Sequence, residues 1–427
     1  MAVAERKMQD TETRLSTMDM PRNGWSVAAR QAAVSWVRSQ GLPSRRDEYW
    51  KYTRPDTFVA AVAQDVAPEV HGESDVFDGL DTLKIVFTDG VFDAQASDDL
   101  VLEGVTIERL EATSSLDIHW AKPIYGQLEA AGQVPIARPL AALNTAFAPS
   151  GLLISVETTP IKPISILYRH QDTGSDVLLH HVVKVAGDAR FELLESGAAG
   201  ARFNHVLEVD IADRGQFHHV RSQGPEQFSQ AMTHIFTKLG TQSVFKSFTL
   251  SANGQLIRND CVIELTGDDA VAHIAGAAIG DGDFHHDDTV FITHDALRCE
   301  SRQVFKKVLR NGAVGVFQGK ILVKEGAQKT DGYQISQSLL LDGDSQFLAK
   351  PELEIYADDV ICSHGSTSGA IDEEGLFYLR ARGVPVDIAT DLLTLAFLAE
   401  ALQEIESVNL SEAIGDRLEA WLARRRS

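Results

Sequence analysis

Cysteine is scarce in this chain: Cys261, Cys299 and Cys362 are the only three in 427 residues, 38 and 63 positions apart. No CxxC pair occurs, which argues against a closed zinc or ferredoxin-type site held by one chain. An odd, sparse count also fits a reducing compartment better than a disulfide framework. Basic residues are in deficit, with Lys plus Arg 39 against Asp plus Glu 61 and a formal net charge of −22. That balance opposes binding to nucleic acid or to an anionic membrane surface, and its plain meaning is solubility. Long apolar runs are missing too. The most apolar stretch, near Ile388–Ala401, carries Asp391 and Glu400 and is too short to span a bilayer. The first residues, MAVAERKMQDTETRL, are charged and hold no apolar h-region, so they do not read as a signal peptide. A cytoplasmic protein is expected. GxxxxGK[ST], GxGxxG after a strand, GxSxG and HExxH are all absent, which speaks against a nucleotide hydrolase, a dehydrogenase or a zincin.

Three textures are present. Residues 1–148 read as a helical region with short strands: a polar, frayed start to about residue 22, a helix from Trp25 to Gln40 closed by Gly41 and Pro43, and short strands within 83–108. Residues 41–53, dense in aromatics and charge, read as a structural knot with Trp50 and Tyr52 packed and Arg45 and Arg46 wet. From 149 to 365 short β-rich runs recur between polar corners such as Gly187-Asp188, Gly267-Asp268 and Gly343-Asp344. Many short strands mean a sandwich, a barrel or a β-solenoid. The length of the region, the brevity of the runs and the scarcity of hairpin signals favour the solenoid, although no repeat period can be read. Residues 366–427 turn helical, with helices at about Asp372–Arg382, Val386–Ile405 and Ser411–Arg424. Such helices either cover the open end of a solenoid or dock a partner.

The densest chemistry lies at Cys362-Ser363-His364-Gly365. On a strand, Cys362 and His364 share one face roughly 7 Å apart. A thiolate and an imidazole so placed are half of a metal or cluster site, and two ligands imply that a second subunit supplies the rest. A second cluster, His285, Asp287 and Thr289 with His294 beyond, suits a metal or an acid–base pair, but a hydrogen-bonded polar ladder is the better reading. The doublets His180-His181 and His218-His219 put one member in and one out of any strand and suggest no function. Cys261 and Cys299 read as buried thiols.

The block 357–365 (ADDVICSHG), followed by 371–383 (IDEEGLFYLRARG), resembles the signature of the SufB/SufD family of iron–sulfur assembly proteins. The likeness extends to residues 350–355, 338–341, 327–331, 317–320, 301–303 and 142–147, and to the His285, Asp287, Thr289 and His294 pattern. The segment GLP…WKYT at 41–53 and the modest length are similar to the SufD branch. The resemblance implies a mainly β fold, a right-handed parallel β-helix between an N-terminal helical region with short strands and C-terminal helices. It also implies a non-catalytic scaffold that pairs with SufB through the β-helix and docks the ATPase SufC through its C-terminal helices, SufC alone binding ATP. His364, with Cys362 beside it, is then implicated in a transient iron–sulfur cluster at the interface with SufB. Ser366-Thr-Ser-Gly369 departs from the usual Ala-Thr-x-Gly, and Gly375 lies within a helix at a cost of up to about 1 kcal/mol relative to Ala. A homodimer in isolation, the cluster type and flavin binding stay open. A SufB-like homodimeric scaffold is one alternative. Another is a polysaccharide-active β-helix enzyme with calcium on Asp281, Asp283, Asp287 and Asp288, which the acidic chain and the CSHG block oppose.

Overall fold

Alternation of apolar and polar residues with period two buries one side of each strand, and here two such walls face each other across a continuous core. The computed structural model describes residues 2–68, 75–224 and 229–424. One wall contains β1 (Leu83–Thr88), β2 (Val91–Phe92), β5 (Ile164–Arg169), β7 (Arg190–Gly197), β9 (Gln216–Gln223), β11 (Val244–Ala252), β13 (Val271–Asp281), β15 (Glu300–Arg310), β17 (Asp331–Leu340) and β19 (Ile361–Gly369). The other contains β3 (Val105–Arg109), β4 (Leu152–Val156), β6 (Asp176–Val185), β8 (Arg202–Ile211), β10 (Gln230–Leu239), β12 (Leu256–Leu265), β14 (His285–His294), β16 (Val314–Val323) and β18 (Gln346–Ile355). Odd strands from β5 and even strands from β4 stack in chain order, all parallel; β2 on β1 and β3 on β4 are antiparallel. The chain thus climbs a β-solenoid, switching wall at every corner. Its core is made of inward residues such as Phe191, Phe217 and Phe245, whose rings stack along the axis at 5.9 and 5.8 Å.

The coil length is uneven. Arg190 lies against Gln216, 26 residues on, whereas Val314 lies against Gln346, 32 residues on. Left-handed residues mark many corners, as at Asp188 (φ 64°) and Arg214 (φ 61°), and cross-coil pairs such as Arg214 with Asp188 (2.6 Å) tie successive corners.

The helices are α1 (Ala2–Leu15), α2 (Val27–Gln40), α3 (Asp56–Val59), α4 (Gln127–Ala131), α5 (Pro139–Phe147), α6 (Glu373–Ala381), α7 (Val386–Leu402) and α8 (Val408–Arg424). Helix α5 packs on the outer side of β6 and β8, and α7 on the outer side of β13 and β15. Several expectations are corrected. The N-terminus is not frayed: α1 buries Thr11 and Leu15, and Arg14 reaches Asp176 at 2.6 Å. The strands are not short, since the even ones from β6 to β18 span ten residues each. The C-terminal helices do not cover the end of the solenoid but lie along its flank. Tyr49, rather than Tyr52, is the buried tyrosine of segment 41–53. Gly375 is not a simple defect either: a Cβ there would meet the Asp372 carboxylate at 2.8 Å, and that carboxylate caps α6 by accepting the Glu374 N–H at 3.0 Å.

Candidate functional site at the open end of the solenoid

β18 and β19 form the last rung. Each hydrogen-bonds to one neighbour, β16 and β17 respectively, and no strand lies beyond them among the described residues. Their outer edges therefore carry backbone N–H and C=O groups free to pair with another chain. Seven of the nine residues of β19 are exposed.

The strand does continue through the motif. Cys362 lies against Gly332 and His364 against Gln334 of β17. Cys362 packs inward with Leu353 against Ile321 and Val323, so alternation turns His364 to the same, inner side of the last rung. The glycine opposite the thiol is a close fit, for a Cβ on Gly332 would sit 3.2 Å from Sγ. Burial pushes the Cys362 thiol up from its ordinary value, so a metal ion must draw off the proton before the sulfur ligates. His364 is exposed at the mouth. The motif thus presents two ligand types side by side on an unpaired edge.

The second cluster is a ladder. His285, Asp287 and Thr289 share the outer side of β14, and Asp287 accepts from the Thr53 hydroxyl (2.5 Å), the Arg258 guanidinium (2.7 Å) and the Thr289 hydroxyl (3.1 Å). Arg258 also donates to the Tyr49 carbonyl at 2.7 Å and stacks over Trp50 at 4.3 Å. The network straps segment 41–53 to the even wall. His294 is not part of it: it faces inward and bonds Ser301 at 2.8 Å. The four aspartates considered for calcium diverge. Asp281 pairs with Arg310, Asp287 with Arg258 and Asp288 with Lys307, while Asp283 is exposed.

One polar constellation escaped the sequence reading. Inside the solenoid, Glu195 accepts from Tyr168 (2.5 Å), His219 (2.7 Å) and Arg221 (2.5 and 3.0 Å). His181, Glu195 and His205 offer ligand atoms within 4.8 Å of one another. Their rings turn an N–H, not a lone pair, towards this centre. The Leu152 N–H donates to His181 Nδ1 (2.8 Å) and Arg221 donates to His205 Nδ1 (3.1 Å), so each neutral ring carries its proton on Nε2. Those N–H groups meet the Tyr168 hydroxyl at 3.0 Å and Glu195 at 3.4 Å. The arrangement is a cage around one carboxylate. Burial works against its charge, but Arg221, His205 and His219 hold Glu195 well below the usual carboxylate range. Glu195 and Arg221 are register partners one coil apart, a signal visible only once the coil length is known. His180 and His181 do face opposite ways, yet both are buried, because the N-terminal region covers the outer side.

On that outer side Glu208 accepts from the Gly126 N–H (2.6 Å) and the Glu129 N–H (2.9 Å), and lies 2.8 Å from His180 Nε2. Burial nevertheless raises its carboxyl to about 8 from 4.5. Above the unfolded value the unfolded carboxyl is ionised while the folded one keeps its proton, so folding takes up a proton and stability falls as pH rises towards 8, by up to about 1.4 kcal/mol per unit. Urea midpoints measured across this window should decline in the parent, and Glu208→Gln should flatten the decline.

No described helix is long and apolar enough to cross a membrane. The SufBD core domain model of the SUF iron–sulfur cluster assembly system matches residues 168–397, and the SufBD N-terminal region model matches residues 22–161. The iron–sulfur cluster assembly protein SufD of Escherichia coli is 27% identical over 411 residues, 92% of each chain. A SufBD family protein of Synechocystis is 27% identical over 425 residues, 90% of this chain and 88% of its own. The SufD of Bacillus subtilis is 27% identical over 262 residues, 59% of this chain and 58% of its own. With family models spanning both its N-terminal region and most of its solenoid, this chain belongs to the SufB/SufD family of iron–sulfur cluster assembly proteins.

Proposed function

We propose that the chain is a cytoplasmic, non-catalytic SufD-type scaffold that pairs with SufB through β18 and β19 and contributes His364, with Cys362, to a nascent iron–sulfur cluster. The observation that carries this reading is the unpaired last rung with a thiol and an imidazole on its inner side. Two ligands do not close a cluster site, and a partner rung laid against this edge would bring the remainder. The cluster is cargo, and incomplete ligation by one subunit serves its release. SufC, the ATP-binding partner, is assigned to the helices of residues 366–427. In support, α6 buries none of its residues, and Phe377 and Tyr378 are 74% and 55% exposed.

Co-expression with SufB and SufC, tagging this chain alone, tests the reading. Both partners are expected to co-purify with bound iron under anaerobic conditions, and His364→Ala should keep the complex while losing most of the iron. A chain that comes off alone or paired only with itself would refute the heteromeric scaffold. An intact complex with unchanged iron would remove His364 from the site.

A further inference from the structure

Beneath His364 the inner wall carries two glutamines in register. His364 lies against Gln334, and Gln334 against Gln303 of β15, on rungs about 4.8 Å apart. Both glutamines are fully buried. Neither amide finds a protein partner for its Oε1 or its Nε2. Native interiors rarely leave such groups unmade, and two in one column beneath an exposed imidazole call for a reason. The nearby hydroxyls are engaged with one another, Ser336 with Ser366 at 3.1 Å and Ser338 with Ser368 at 3.0 Å. Across the interior, Gly319 keeps the space open: a Cβ there would sit 2.5 Å from Gln334 Oε1.

We propose that Gln334, backed by Gln303, is a positioning residue for His364: its amide, unpartnered as it stands, turns its carbonyl to accept the proton of one ring nitrogen and so leaves the lone pair on the other. A histidine ligand works through one nitrogen, and the hydrogen bond made by the other selects the tautomer. A primary amide suits the task. It is uncharged, so it does not favour imidazolium as a carboxylate would, and a half-turn of its terminal torsion presents either an acceptor or donors. Gln303, its register neighbour one rung deeper and equally unpartnered, is the group that can donate to the second lone pair of Gln334 Oε1 once that amide turns to His364. The inference rests on the reading of His364 as a ligand and adds what readies it.

The test uses the full chain with ¹⁵N in its histidine rings, the His364 signals being identified by their loss in His364→Asn. Under mildly alkaline conditions the parent should show one pyrrole-type and one pyridine-type nitrogen, the mark of a single tautomer. In Gln334→Met, close in size and without an amide, the two ¹⁵N shifts should converge towards those of free imidazole, while the unfolding midpoint stays level or rises. A purely structural role would lower the midpoint and leave the tautomer alone. Converged shifts already present in the parent, or His364 signals unmoved in Gln334→Met, would overturn the proposal. Should that variant fail to fold, Gln303→Met gives the same readout, with a smaller convergence expected and an unchanged parent-like splitting counting against it. The tautomer is read on the chain alone, so loss of the scaffold reading in the co-expression experiment leaves this result standing on its own.

Discussion

Glu195→Ala is expected to destabilise the solenoid by about 3–5 kcal/mol, read as a large drop in the urea midpoint. Glu195 is wholly buried, and its partners Tyr168, His219 and Arg221 are at most 4% exposed. Deleting the carboxylate leaves the Arg221 charge uncompensated between the two walls. The loss exceeds the net worth of the ion pair, because the stranded guanidinium keeps its full desolvation cost. A pH signature goes with it. The Glu195 carboxyl is held below its ordinary value of 4.5, so its stabilisation is complete above that pH and is lost as pH falls towards the folded value. Acid unfolding of Glu195→Ala should accordingly be shallower than that of the parent. Arg221→Met together with Glu195→Leu should recover much of the loss, since it removes both charges at once.

The second large effect is at Asp287. Asp287→Ala should also cost about 3–5 kcal/mol, and it should loosen one named segment. Asp287 is the nearer of two counter-ions of Arg258 (2.7 Å, with Asp260 at 3.2 Å), and Arg258 is 2% exposed and holds the Tyr49 carbonyl and the Trp50 ring. Limited proteolysis should then cut within residues 41–53 before it cuts the solenoid. Thr53→Val, which removes one hydroxyl from the same carboxylate, should cost about 0.5–1.5 kcal/mol and leave the cleavage order unchanged. Equal protease resistance in Asp287→Ala and the parent would show that α1 and α2 hold the segment without the strap.

How much of this was legible in the amino acids differs from one part to the next. The helix at about Asp372–Arg382 was a local signal: the Asp372 carboxylate caps it by accepting the Glu374 N–H, and Gly383, at φ 85°, follows its end. The solenoid was legible as a class from its many strands and polar corners. Its period was not, because coils drift between 26 and 32 residues while keeping strict register. β10, β15 and β17 are hard to read from sequence for another reason. Their inward positions carry Thr233, Gln303, Lys307 and Gln334, so the apolar alternation expected of a strand is interrupted by polar residues that the interior partners or leaves bare. The Cys362 and His364 pair was visible as chemistry, but its place on an unpaired edge was not, since nothing in residues 361–369 distinguishes a last strand from a middle one. The burial of both members of His180-His181 depended on Tyr125 and α5, far away in sequence, packing over the outer side.

The two ends of the solenoid are built differently, and that asymmetry governs how far an assembly can grow. At the start, β2 and β3 fold back antiparallel, one only two residues long, and offer no parallel ladder that a β18–β19 rung could extend. A head-to-tail contact therefore finds no matching surface, and stacking cannot propagate into a filament. Pairing of two open mouths, as proposed above, would use up the one open parallel ladder among the described residues of each solenoid, so contacts of this kind would close at two rather than propagate.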